Sequence, residues 1–146
     1  MRPQAKKTVC FNIKASWHAI SRLYNEQAVK YGLTTSVGYV LLNIDSREGT
    51  PATKIGPLLG MESRSMTRML KSMEQDGLIY KVSDANDKRL VKIFLTEKGK
   101  EKREIAKKVV KRFNQLVKEE LGEEKLETFF EVIEKINSII ARKNIY

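Results

Sequence analysis

Residues 59–79 of the chain read LGMESRSMTRMLKSMEQDGLI. Apolar side chains recur in this stretch at spacings of three and four, which predicts an amphipathic helix. Its inward residues are Met66, Met69, Leu70 and Met73. Serine, arginine and lysine side chains occupy most of the opposite face, and Gly77 is a natural helix stop. The stretch therefore predicts a helix from about Glu62 to Gln75 that buries one face and presents a basic one.

The residues just before this helix predict a second, shorter helix. Thr50 can cap it and Pro51 suits its first position, where the missing proline N–H would be unpaired in any case. Gly60 is its expected end. This helix carries the apolar residues Ile55, Leu58 and Leu59.

The residues after the helix predict a β-hairpin. Residues 78–82 and 91–95 alternate between apolar and polar side chains, which is the period of a strand. Between them lies the polar, turn-prone tip at 83–88. A short helix, a tight glycine turn, a second helix and a hairpin together form a winged helix-turn-helix arrangement.

Longer helices are predicted on both sides of this region. They are expected over residues 9–31, from Thr34 or Thr35 to Gly49, from the capping residue Thr96 to about Leu121, and beyond Gly122. The apolar stripe of the last helix is wide and needs more than one partner surface. We therefore expect a mainly α protein with a small β-hairpin wing. Its 146 residues suggest a single domain, 1–146, with the winged helix-turn-helix region at 33–95.

Charge is abundant and unevenly distributed. The chain has 28 lysine and arginine residues against 18 aspartate and glutamate residues, a net charge of +10. Residues 98–112 contain eight basic and two acidic side chains, whereas residues 119–134 contain seven acidic side chains and one lysine. This segregation, with basic residues on the predicted helix and hairpin, favours a nucleic-acid face over general solubility. A lysine-rich helix is also typical of a solvated surface, and that alternative stays open for residues 98–112.

Several classes of protein are disfavoured by composition. The single cysteine, Cys10, cannot form a disulfide within the chain, and no apolar run approaches the roughly 18 residues that span a membrane. We expect a cytoplasmic protein that does not associate with membranes. One histidine and one cysteine are too few for a convincing metal site, and no nucleophile–base pair or phosphate-binding glycine loop is evident. We expect no enzymatic activity, no metal and no cofactor.

Three motifs in order resemble the MarR family of bacterial transcriptional regulators. They are residues 59–79, the DANDKR segment at 84–89 and the LTEKG segment at 95–99. Glu62 and Asn86 depart from the family pattern, which often has a serine or threonine cap and a wing arginine at these places. The resemblance implies a homodimer held by the helices of 1–32 and 96–146, with two winged domains on a near-palindromic double-stranded operator. It further implies a repressor that a small molecule releases from DNA.

A helix in the major groove would present Arg64 and Arg68 together, because they are four residues apart. A guanidinium fork can donate to both O6 and N7 of guanine, so these two are the expected base readers. The hydroxyl residues Ser63, Ser65 and Thr67 are candidates for contacts with bases or phosphates. Lys71, together with Lys54 on the preceding helix, is expected to bind phosphates and so to position the protein.

The wing carries its own candidates. Arg89 is expected to enter a minor groove, where narrow A/T-rich DNA has an enhanced negative potential, and Lys88 adds a second positive charge. Asp87 is expected to orient the Arg89 guanidinium and not to meet DNA itself. A simple ion pair within the hairpin is the alternative.

The resemblance also implies an effector site for an aromatic or amphipathic small molecule. The candidate lining residues are Trp17, His18, Tyr24 and Tyr39. The alternative is that the aromatic residues belong to the core or to the dimer interface. A branch of the family senses hydroperoxides through an early cysteine, and Cys10 resembles it, with Tyr24 in the place of an activating tyrosine and Lys14 in the place of another. A redox-sensing regulator and a winged-helix module that binds protein instead of DNA are therefore the two alternative functions.

Overall fold

The computed structural model describes residues 7–146, a mainly helical chain with a small antiparallel sheet. The elements are α1 (Val9–Val29), α2 (Thr35–Asn43), β1 (Thr50–Pro51), α3 (Ala52–Leu59), α4 (Ser63–Gln75), β2 (Ile79–Ser83), β3 (Val91–Leu95), α5 (Glu97–Leu121) and α6 (Glu123–Ala141). The predicted fold class is confirmed, and the predicted order of helices and hairpin is present. The first six residues of the predicted N-terminal dimerisation segment lie outside the described residues.

The sheet has one strand more than the sequence predicts. β3 lies in the middle, paired with β2 on one side and with β1 on the other. The prediction that Thr50 caps α3 is wrong, because Thr50 pairs with Ile93 in the sheet and its hydroxyl accepts a hydrogen bond from Asp45 N at 2.9 Å. Pro51 is also in this strand, with an extended ψ of 131°, so α3 begins one residue later than predicted. A two-residue strand is too short to show a period in the sequence.

The second helix ends at Asn43 and not at Gly49 as predicted. The cause is Asp45, whose Oδ1 accepts hydrogen bonds from Arg47 N at 2.8 Å and Glu48 N at 2.9 Å. An aspartate that binds nearby backbone amides favours a turn over a helix. The same amide hydrogen bonds, from Glu48 first and then Arg47, lower the pKa of Asp45 from 3.8.

A single core joins α2, α3, α4 and the sheet. Its completely buried side chains are Val40, Leu41, Ile44, Ile55, Met73, Ile79 and Ile93. Met66, Leu70 and Met73 are buried on α4 as predicted, while Met69 is half-buried. On α3, Ile55 is buried and Leu58 is 63% exposed. Since Ile55 and Gly56 both point inward, the 100° advance per residue turns Leu58 away from the core.

The chain divides into two compact units, one ending at Val109 and the other running from Val110 to Tyr146. In the second unit α5 and α6 meet at Gly122, where Lys118 Nζ lies 2.7 Å from Glu123 Oε1. α6 contains no buried residue, and several large apolar side chains on it are at least 41% exposed. These are Phe129, Phe130, Val132, Ile139 and Ile140. These five side chains of its wide stripe are thus exposed in the described residues.

Candidate nucleic-acid interface

The turn between α3 and α4 presents α4 at the surface. Gly60 ends α3 in the left-handed conformation, with φ 62°, and Met61 N donates to Gly56 O at 2.9 Å. Glycine adopts this conformation without the cost that a Cβ imposes. α4 begins at Ser63 with Glu62 as its N-cap, and the Glu62 side chain makes no capping hydrogen bond. The glutamate at position 62, where the family often has a serine or threonine cap, therefore leaves the start of α4 close to its predicted position.

The outer face of α4 presents the predicted cationic side chains to solvent. Arg64, Arg68 and Lys71 are exposed, and none of their side chains has a hydrogen bond or ion pair with residues 7–146. Met66, Leu70 and Met73 fix the opposite face in the core. Four residues together line a shallow surface concavity: Ser63, Arg64, Thr67 and Arg68. The helix therefore offers two neighbouring guanidinium groups beside hydroxyl groups.

The hydroxyl residues and Lys54 differ in how available they are. Thr67 Oγ1 donates to Ser63 O at 2.9 Å, so its proton is already used within the helix. Ser63 is exposed, whereas Ser65 is half-buried. Lys54 is exposed on α3 and has no hydrogen bond or ion pair within the described part of the chain. The structure thus leaves Ser63 and Lys54 free at the surface, and Ser65 less accessible.

The wing tip is a preorganised turn that ends in an ion pair. Asp84 Oδ1 accepts hydrogen bonds from Asn86 N at 2.8 Å and Asp87 N at 3.1 Å. The Arg89 guanidinium donates two hydrogen bonds to the Asp87 carboxylate, from Nε to Oδ1 and from Nη2 to Oδ2, each 3.1 Å long. The Arg89 side chain hydrogen bonds and, next, its backbone N–H lower the pKa of Asp87 from 3.8. The Arg89 side chain is still 90% exposed, and Lys88 beside it is exposed too.

Several other basic side chains of the hairpin and α5 are bound within the protein. Lys81 Nζ lies 3.8 Å from Glu74 Oε1, and Lys92 Nζ donates to Glu48 O at 3.3 Å. In the basic run at 98–112, four lysines have partners: Lys98, Lys100, Lys102 and Lys107. Four of the eight basic side chains of that run are therefore bound within the chain, and the alternative of a solvated surface stays open for the run.

Three of the four predicted effector residues lie together between α1 and α2. The Tyr39 ring lies 5.6 Å from Trp17 and 6.2 Å from Tyr24, measured between centroids. Tyr24 is 7% exposed; burial and, secondarily, the nearby Tyr39 raise its pKa to about 12. Burial raises the pKa of Tyr39 as well. His18 is exposed and has no hydrogen bond or ring contact with the described residues, so it is not part of this aromatic cluster.

Two polar residues that the sequence did not mark as part of a functional site hold α2 against α1. Asn25 Oδ1 accepts hydrogen bonds from Thr35 N at 2.8 Å and from Thr35 Oγ1 at 2.7 Å. Thr35 Oγ1 also lies 3.2 Å from Ser21 O. These bonds fix the distance between the helices that carry the aromatic cluster. The only sequence signal was the pair of threonines at the predicted helix start.

Cys10 is exposed near the start of α1, and its Sγ lies 3.6 Å from Thr8 Oγ1. Tyr24, the candidate activating residue, follows it by 14 positions on the same helix, which corresponds to roughly 21 Å along the axis. Tyr24 instead packs beside Tyr39. Within one chain, this arrangement does not favour redox sensing. No group of three or more histidine, cysteine, aspartate or glutamate side chains in residues 7–146 could hold a metal ion.

Known proteins resemble this chain in both sequence and fold. Residues 33–91 match the model of the MarR family. The chain is 31% identical over 110 residues to the HTH-type transcriptional regulator SarZ of Staphylococcus aureus strain USA300, covering 75% of this chain and 74% of SarZ. It is 36% identical over 92 residues to the HTH-type transcriptional regulator TtmR of Methylorubrum extorquens strain PA1, covering 63% of this chain. That alignment covers 47% of TtmR, so the chain spans about half the length of this relative.

The solved structures extend the likeness to nearly the whole chain. The MepR–DNA complex of S. aureus superimposes with a TM-score of 0.83 and covers 90% of this chain and 97% of MepR. The identity is 22%, so this match establishes the fold. None of the helices in residues 7–146 has the length and apolar character needed to cross a bilayer.

Proposed function

This chain belongs to the MarR family, and on that premise we propose that it is a sequence-specific DNA-binding transcriptional regulator. The observation that carries the proposal is the outer face of α4, where Arg64, Arg68 and Lys71 are exposed and have no partner among residues 7–146. Because these cationic side chains have no partner in the protein, they are available to bind a polyanion. We call α4 the recognition helix. A cytoplasmic location goes with this activity.

Each side chain has a proposed role in the complex. Arg64 and Arg68 read guanine, because their forks match O6 and N7 and they share one concavity. Lys71 and Lys54 bind phosphates, which position the protein without reading sequence. Ser63 supplies a hydroxyl group at the N-terminus of the recognition helix. Thr67 and Ser65 make further contacts with bases or phosphates at the edge of the face that meets DNA.

The wing arginine acts in the minor groove. Its pairing with Asp87 fixes the direction of a long side chain while leaving it 90% exposed. Fixing a flexible side chain in advance lowers the conformational entropy lost on binding. Asp87 therefore orients Arg89, and Lys88 adds charge beside it.

We infer that the protein acts as a homodimer. The apolar side chains of α6 support this: Phe129 is 52% exposed, Phe130 55% and Ile140 60%. Exposed apolar patches of this kind mark interaction surfaces. Two winged domains related by a two-fold axis match a near-palindromic operator.

We infer further that a small aromatic or amphipathic molecule controls DNA binding, with the protein acting as a repressor. The cluster of tilted rings of Trp17, Tyr24 and Tyr39 supports an aromatic ligand, because a further ring can pack edge-on or offset against such rings. His18 is solvent-facing, so it belongs at the rim of such a site or outside it.

Selection from a random-sequence duplex library tests the proposed function. The wild-type protein should enrich a near-palindromic sequence with two half-sites about one helical turn apart. The matched variant Arg64→Ala/Arg68→Ala should enrich no sequence while keeping its fold by circular dichroism. Wild-type protein that enriches no sequence contradicts the proposal, and retained enrichment by the double variant contradicts the roles of the two arginines. Binding to no DNA at all would favour the protein-interaction alternative.

A further inference from the structure

Two lysines near the start of α5 are bound to main-chain carbonyls at the ends of other helices. Lys98 Nζ donates to Asp76 O at 2.8 Å, immediately after α4. Lys102 Nζ donates to Tyr31 O at 2.7 Å, immediately after α1. Because the two lysines are four residues apart, they project from the same face of α5. Both ammonium groups are therefore bound to carbonyls of the same chain.

The end of α4 has no basic residue of its own, whereas the end of α1 has Lys30 as its C-cap residue. Neither α1 nor α4 has a basic residue in its last turn. The C-terminus of a helix carries unpaired carbonyls and a partial negative charge, which a nearby cation stabilises. α5 supplies that cation to each of them from a distant part of the sequence.

The end of α4 is held by more than Lys98. Thr96 Oγ1 donates to Gly77 O at 2.6 Å, and Thr96 N donates to Leu78 O at 3.1 Å. Gly99 lies so close that a Cβ on it would overlap Leu78 O. Three consecutive carbonyls, at 76, 77 and 78, are thus contacted by residues 96–99. We call this set of contacts the carbonyl clamp.

We propose that Lys98 is a positioning residue for the recognition helix. Through the carbonyl clamp it fixes the orientation of α4, and it does not bind a DNA phosphate. This inference rests on the proposed function. Bidentate bonds to base edges require Arg64 and Arg68 at defined distances, whereas phosphate contacts tolerate small shifts. Loosening the clamp therefore weakens binding to the preferred sequence more than binding to any other.

Three lysine variants separate this role from its alternatives. Lys98→Met removes the clamp donor. Lys102→Met removes the same kind of bond from the end of α1, which carries no base reader. Lys100→Met removes the same charge from the next exposed lysine, whose partner is Glu97 at 3.2 Å. All three lose one positive charge and differ only in what the lysine holds.

Affinities are measured for two probes at several salt concentrations. One is a duplex that the wild-type protein has selected from a random library, and the other is a scrambled duplex of the same composition. Lys98→Met should lose roughly three- to tenfold on the selected duplex, the range expected from one hydrogen bond. It should stay within about twofold on the scrambled duplex, with an unchanged salt slope. Lys98→Arg, which keeps a charged donor, should recover most of the loss, and the two control variants should change neither affinity by more than about twofold.

Other results overturn the inference. An equal loss on both duplexes, with a salt slope shallower by about one, identifies Lys98 as a phosphate contact. An unchanged Lys98→Met, or an equal loss of discrimination in Lys102→Met, removes any special role for the clamp at α4.

Hydrogen exchange of the DNA-free protein gives an independent reading. Amides 73–79 should exchange faster in Lys98→Met than in the wild type and should be unchanged in Lys102→Met, because only the first variant opens the end of α4. Equal exchange in all three proteins contradicts the clamp. If the wild type selects no duplex, the proposed function fails, and this exchange experiment still decides whether Lys98 holds α4.

Discussion

Two groups of basic side chains look alike in the sequence and differ in the structure. On α4, Arg64, Arg68 and Lys71 have no hydrogen bond or ion pair with residues 7–146. On the first turns of α5, Lys98 and Lys102 are bound to carbonyls, while Lys100 and Lys107 pair with glutamates three residues earlier. The net charge of +10 counts both groups equally. A basic run on a helix is therefore available as a binding surface only to the extent that the fold leaves its charges unpaired.

The largest effect is expected where α5 meets the end of α4. Gly99→Val should destabilise the protein by about 3 kcal/mol, at the upper end of the overpacking range, because its side chain would meet the backbone oxygen of Leu78. Urea unfolding measures the loss. Lys100→Val, which introduces the same side chain at the next and exposed position, should cost about 0.5 kcal/mol or less. Equal losses in the two variants would show that the tight contact at Gly99 has no energetic importance.

A second effect separates the side chains within α4. Arg68→Ala should reduce discrimination between the selected duplex and a duplex with the contacted guanine replaced, by about 1–3 kcal/mol. Lys71→Ala should weaken binding to both duplexes by the same factor, because a phosphate contact carries no sequence information. Competition binding with the two duplexes measures both variants. The reverse pattern would exchange the roles of the two residues.

The smallest effect concerns the wing, whose arginine is paired and still exposed. Arg89 lowers the pKa of Asp87 from 3.8, so the ion pair is present at neutral pH and is lost as the pH falls through that lowered value. Titration of the Asp87 carboxyl by NMR should give a midpoint below 3.8 in the wild type. In Arg89→Ala the midpoint should move up, because the Arg89 side-chain hydrogen bonds, which lower the pKa of Asp87 most, have been removed. A wild-type midpoint at or above 3.8 would mean that the pair does not persist in solution.

The sequence predicts those features of the fold that repeat along a helix or follow from a single cap. The predicted buried face of α4 is confirmed at Met66, Leu70 and Met73. It could be predicted because a stretch of about a dozen residues is long enough to show a helical period in the sequence. The cap of α5 is confirmed too, with Gly99 N donating to Thr96 Oγ1 at 3.0 Å. Such signals are local, so one sequence is sufficient to find them.

Features that depend on distant residues are not predictable in this way. β1 exists because Thr50 and Pro51 meet β3 some forty residues later. The early end of α2 has a different cause, because Asp45 sets it through local amide hydrogen bonds that the apolar period of a helix does not reveal. Distant residues matter at the candidate interface too. The residues that face outward on α4 could be predicted, whereas the partners of Lys98 and Lys102 could not, because they lie 22 and 71 positions away.

The salt dependence of DNA binding tests the central claim most directly, namely that the unpaired cations of α3 and α4, together with the wing arginine, form the DNA surface and the paired cations of α5 do not. The wild type should show a slope of log affinity against log salt of roughly −5 to −9 if it contacts six to ten phosphates. Lys54→Gln/Lys71→Gln should make the slope shallower by about two, whereas Lys100→Gln/Lys107→Gln should leave it unchanged within error. A wild-type slope near zero, or an equal change in the two double variants, would contradict the account.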